Sequence, residues 1–237
     1  MSAIVRVVVR TTAELLLTLG LVVVAFAAYL VVWSDVQNAA AQSTLRETFE
    51  ARVAQASRTS PSTPAPRARP AARGRSRTPV ATAPLAPPPT GGGLGLLSIP
   101  RLGQGWSRVI VEGVETDQLA LGPGHFPGTA MPGEVGNFAV AGHRATNGEP
   151  FAHLDALVPG DEVTVQTLAA TFTYVVDRSE LVTPTATEVL EPVPGRPGAT
   201  PRKALLTLVT CHPRWGSSER LIVSGHLVDR APTTGGA

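Results

Sequence analysis

Cysteine is nearly missing from this chain: its 237 residues contain one, Cys211. No second cysteine is present for an internal disulfide. The spacings structural zinc requires, C-x-x-C or H-x-x-x-H, are absent too, so Cys211, His212 and His143 make a poor metal set. Acidic residues are scarce where basic ones are dense. Residues 34–93 hold eight arginines against Asp35, Glu47 and Glu50, whereas residues 94–237 hold ten Lys/Arg against fourteen Asp/Glu. The overall basicity, with a sequence pI near 9.2, therefore belongs to the middle segment. The part patterned to fold is acidic, and a nucleic-acid partner is discounted because it would call for a basic folded surface.

Charge and proline are also missing between Leu15 and Trp33, "LLLTLGLVVVAFAAYLVVW". As a helix this run spans about 28 Å, one hydrocarbon core. Arg6 and Arg10 precede it and Asp35 follows, which favours a cytoplasmic N-terminus. A cleaved signal peptide is the alternative, with an A-x-A site in "NAAAQ", but the run exceeds a signal peptide's roughly 7–15 apolar residues. An uncleaved signal-anchor is expected. In an exported protein a leftover cysteine suggests a reactive thiol or an intermolecular bridge, although a small buried hydrophobe is the plain alternative.

These changes of texture divide the chain. Residues 1–12 read as a cytoplasmic tail and 13–33 as a transmembrane helix. Residues 34–93 read as an extracellular linker, helical in "SDVQNAAAQSTLRETFEARVAQAS" and then rich in proline and arginine. Nine prolines fall in residues 61–90 with no acid. That composition favours extended, unfolded chain and reads as a semi-rigid spacer holding the domain off the bilayer. Residues 94–230 carry seven short β-rich pieces separated by turn signals such as "VPGD" and "TNGEP", as expected of a closed antiparallel barrel or a sandwich. "TDQLALG" and "FAHLDAL" read as short helices or turns, and 231–237 as a disordered tail.

Alternation assigns faces within the strands. In "ERLIVSGHLV", Leu221, Val223 and Leu227 share the core face, which turns Arg220, Ser224 and His226 outward. In "NFAVAGH", Phe138 and Val140 point inward, while Ala139, Ala141 and His143 share the other face. In "LLTLVTC", Cys211 lies with Thr207 and Val209, opposite Leu206 and Leu208. If the strands around "HPRWGSSE" pair as a hairpin, Cys211 and Arg220 meet at one rim, and His143 joins them if its strand is a neighbour. Such a trio suits acyl transfer: a thiolate attacks, an imidazole moves protons, and a guanidinium holds an oxyanion.

"TLVTC" with an arginine opening the next strand and "AVAGHR" upstream resembles the sortases, membrane-anchored cysteine transpeptidases of Gram-positive bacteria. "CHP" and "SERLIV" look most like class E, found in actinobacteria, with class D next. The Asp-Pro-aromatic lid motif of the pilin-polymerising class C is absent. The resemblance implies an all-β fold, an eight-stranded sortase-type barrel with short helices. It implies that Cys211 attacks the Thr–Gly carbonyl of a C-terminal Leu-Ala-x-Thr-Gly or Leu-Pro-x-Thr-Gly signal, that His143 transfers protons, and that Arg220 binds substrate or oxyanion. Thr210 and Ala141 would contact substrate. The implied partners are secreted proteins bearing such signals and a peptidoglycan cross-bridge amine on lipid II. Neither metal nor organic cofactor is implied.

Plainer readings accompany these. His125, in "GPGHFPG", reads as a loop residue and His153 as a packed or solvated one. His212 points away from Cys211 by alternation, and His226 lies too far along its strand. Trp215 reads equally as a pocket wall or a packing anchor. The rival to the enzyme is a non-catalytic cell-surface binding or scaffold barrel that keeps the fold without the chemistry.

Overall fold

The structure is a computed structural model and describes residues 3–59 and 86–233. Most of the Pro/Arg-rich segment and the last four residues, for which a spacer and a tail were expected, fall outside the described residues.

Eight strands close into a barrel in the order β1-β2-β3-β4-β7-β8-β6-β5. They are β1 (Gly93–Ser98), β2 (Ser107–Glu112), β3 (Gly124–His125), β4 (Gly136–Ala141), β5 (Glu162–Gln166), β6 (Ala170–Val182), β7 (Ala204–His212) and β8 (Glu219–Pro232). Seven match the β-rich pieces of the sequence. β3 does not, because two residues set between prolines and glycines leave no alternation to read. A short helix, α2 (Thr116–Leu121), crosses between β2 and β3, and "FAHLDAL" yields a 3-10 turn at Leu154–Ala156.

β5 and the first seven residues of β6 alternate buried positions with more exposed ones, as a wall with one inner face should. The inner faces of β4, β7 and β8 supply Phe138, Val140, Leu206, Leu208, Leu221 and Val223 to the core. β4 is buried on both faces, because loops cover its outer side; the Asn137 amide, for example, donates to the Val189 carbonyl at 3.0 Å.

Pairing is mostly antiparallel, but β2 runs parallel to β3 and β4 parallel to β7. Parallel neighbours need a crossover connection, which α2 gives the first pair and the long excursion through β5 and β6 gives the second. The consequence is functional. Parallel β4 and β7 finish at the same end of the barrel, so the residues that follow Ala141 and Val209 share one rim.

The apolar run belongs to a much longer helix, α1 (Ala3–Thr59), which is long and apolar enough to cross a membrane. From Ile4 to Trp33 its large apolar side chains are exposed wherever they are described. Beyond Trp33 the helix lies against the barrel. Phe49 and Val53 are buried, and the Gln42 side chain accepts from the Val109 amide (2.8 Å) and donates to the Leu121 carbonyl (2.7 Å).

Candidate active site

Cys211 and Arg220 are direct cross-strand partners at the end of the β7/β8 hairpin. On the other side of β7, the Gly142 amide donates to the Val209 carbonyl at 3.0 Å, continuing the β4/β7 ladder to the residue before His143. Gly142 must be glycine here: a Cβ would lie 2.6 Å from the ring of buried Phe151. The Phe151 amide in turn donates to the His143 carbonyl (3.0 Å), closing the loop that His143 begins.

Cys211, His143 and Arg220 line one cleft of about 230 Å³. Ala141 and Thr210 also line it, and Val114, Leu119 and Phe126 give it apolar walls. The Thr210 hydroxyl donates to the Gly142 carbonyl at 2.7 Å, fastening β7 to β4 directly beside the histidine. Cys211 is a free, half-buried thiol. Burial lowers the pKa of His143 below the ordinary imidazole value of 6.5, so the ring is predominantly neutral at pH 7. Its Nε2 is buried and has no hydrogen-bond partner among the described residues. Arg220 Nη1 donates to the Ser217 and Glu219 carbonyls, both at 3.0 Å, which fixes the orientation of its fork.

Arg144, which follows His143, carried no signal in the sequence beyond its place in "GHR". Its side chain is only 4% exposed, yet it carries a charge and needs partners. Nη2 pairs with Asp155 (2.8 Å), Nη1 donates to His212 Nδ1 (2.7 Å), and the same nitrogen reaches the Cys211 carbonyl (3.4 Å). The guanidinium thus ties the histidine loop to the cysteine strand from behind. It also occupies His212, whose Nδ1 acts as acceptor.

His125 is not a loop residue: it forms half of β3, is 1% exposed, and bonds Glu112 (2.7 Å) and Thr129 (2.9 Å). Glycine and proline around it disguised a strand buried below the cleft wall. His153 is exposed, and His226 pairs with Asp177 at 2.8 Å. Trp215 is 74% exposed, so it is no packing anchor, and it does not line the cleft.

Residues 97–228 match the family model for the sortase domain. The chain belongs to the sortase family. It is 39% identical over 154 residues to sortase SrtE1 of Streptomyces coelicolor, covering 62% of this chain and 43% of that protein. The chain spans about half the length of the curated relatives it matches. Among solved structures it resembles sortase E of Streptomyces avermitilis, with 43% identity, a TM-score of 0.55, and coverage of 60% of this chain and 92% of that one. The sortase E1 of S. coelicolor, solved with a tripeptide in its active site, is 38% identical with a TM-score of 0.56, covering 62% of this chain and 94% of that one. These relatives carry the class E name that the sequence resembled.

Proposed function

We propose that this protein is a cysteine transpeptidase, anchored by α1 with its N-terminus in the cytoplasm and its barrel outside. It cuts a Leu-Ala-x-Thr-Gly or Leu-Pro-x-Thr-Gly signal between Thr and Gly and passes the acyl group to a peptidoglycan cross-bridge amine on lipid II. The observation that carries this reading is the register: Cys211 faces Arg220 across the hairpin while His143 lines the same cleft.

The cycle follows from the resting state. Neutral His143 takes the thiol proton as Cys211 Sγ attacks the threonine carbonyl carbon. Arg220 stabilises the oxyanion of the tetrahedral intermediate. The C–N bond to glycine breaks as His143 returns the proton to the leaving amine, which leaves a thioester on Cys211. The incoming amine then attacks the thioester and gives a proton to His143. The C–S bond breaks, and the thiol regains its hydrogen. The walls from Val114, Leu119 and Phe126 suit the apolar residues that open the signal, with Ala141 and Thr210 contacting the peptide.

The test is turnover of both peptides by the purified full chain in detergent, with and without an amine acceptor. Amine-dependent ligation that is absent in Cys211→Ala is expected. No turnover of either peptide would refute the reading and return the scaffold alternative, and turnover that survives Cys211→Ala would refute Cys211 as the nucleophile.

A further inference from the structure

The end of the apolar run and the catalytic rim are tied together. Asp35 lies two residues beyond Trp33, and its carboxylate accepts the Gly148 amide at 2.9 Å. Gly148 belongs to the loop that His143 begins. Only glycine fits there, because φ is +71° and a Cβ would lie 2.1 Å from the Asn38 side chain on α1. The next residue, Glu149, pairs with Arg214 in the loop that joins Cys211 to Arg220.

Further along α1, Asn38 reaches Ala120, Gln42 reaches Val109 and Leu121, and Arg46 reaches Ser107. Ala120 follows Leu119, which lines the cleft. β2 runs parallel to β3 and β3 antiparallel to β4, so Ser107, which opens β2, also lies at the rim end of the barrel. α1 thus runs along the cleft side of the rim. Its contact nearest the apolar run, Asp35 with Gly148, sets the loop that His143 begins beside the membrane that holds Leu15–Trp33.

The rim also bears a side chain suited to lipid. Trp215 is exposed, and its ring lies 5.7 Å from the Arg214 guanidinium. Tryptophan favours the headgroup layer, where its ring is half apolar and half wet. The stacked pair Tyr29 and Trp33 suits the same layer at the end of the apolar run.

We propose that the catalytic cleft is held at the lipid surface, with α1 docking the loop that His143 begins beside the membrane and Trp215 entering the headgroup layer. This rests on the reading of α1 as a membrane anchor. The height of the site is then set by the contacts that α1 makes with the barrel between Asp35 and Arg46. A cleft so placed meets a peptide and an amine held at the membrane surface ahead of those free in solution.

The test uses the full chain in phosphatidylcholine/phosphatidylglycerol vesicles, with Cys211→Ala removing the native thiol so that the readout does not depend on catalysis. A donor dye is attached either at Ser218→Cys, exposed in the rim loop, or at Arg202→Cys, exposed just before β7 at the opposite pole. Headgroup-labelled lipid is the acceptor. Transfer at least twofold more efficient from the rim position is expected, falling toward the pole value when Trp215→Ala is added. Equal transfer from both positions, or stronger transfer from Arg202→Cys, would overturn the seating. Unchanged transfer on Trp215→Ala would remove that side chain from it. Failure of the chain to float with the vesicles would instead overturn the anchor reading.

Discussion

Cys211 and Arg220 face each other across the β7/β8 ladder, one a residue before the end of its strand and the other a residue after the start of the next. Nine positions of sequence separate them, yet the hairpin makes them neighbours. Arg220→Ala is expected to lower kcat by about 10²–10³-fold, the loss typical of an oxyanion donor. Arg220→Lys keeps the charge and loses the planar fork, so it should recover only part of that loss. Steady-state kinetics on the peptide substrate measures both.

His143 carries a pH signature. Burial lowers its pKa, so its NMR titration midpoint should fall below the ordinary imidazole value of 6.5. The sign for stability follows: between the folded value and 6.5 the unfolded chain binds more protons, so acidification through that window destabilises the fold. His143→Gln should flatten this part of the stability profile and reduce turnover by about 10²–10⁴-fold.

Arg144 is expected to act through position. Arg144→Met would strip the partners from His212 and from the Cys211 and Ala152 carbonyls, costing about 1–3 kcal/mol in chemical denaturation. Turnover should fall through kcat, as the cysteine strand loses its brace. Asp155→Asn should be much milder in both measurements, since that carboxylate is 56% exposed.

Docking of α1 should be measurable as stability of the barrel. Gln42→Ala removes bonds to the backbone of Val109 and Leu121 and is expected to cost about 1–2 kcal/mol. Hydrogen exchange at the Val109 amide should rise while the β7/β8 ladder stays protected.

Strand alternation made the core faces legible: Phe138, Val140, Leu206, Leu208, Leu221 and Val223 all lie in the core. It also put Cys211, Ala141 and His143 on the opposite face, and all three line the cleft. Alternation could not reveal that β4 and β7 run parallel, which alone brings His143 to the cysteine's end of the barrel. That is a matter of how the chain crosses over, which a period of two does not encode.

Other features were hidden for different reasons. His125 sits in two residues of strand between glycines and prolines, too short for a pattern. Arg144 looked like any surface arginine, because its partners come from Ala152, Asp155, Cys211 and His212, scattered along the chain. The docking of α1 rests on Asn38, Gln42 and Arg46, polar residues that the sequence reading placed in the helical part of a linker. Their hydrogen bonds to barrel backbone appear only in three dimensions.

The central claim is that Cys211 carries the acyl group. Intact-mass analysis of the full chain, quenched in acid shortly after mixing with a Leu-Ala-x-Thr-Gly peptide, tests it directly. The expected result is an adduct equal to the peptide fragment ending in threonine, mapped to Cys211, released by hydroxylamine and missing in Cys211→Ala. Peptide cleavage with no such adduct, or an adduct that persists in Cys211→Ala, would contradict the account.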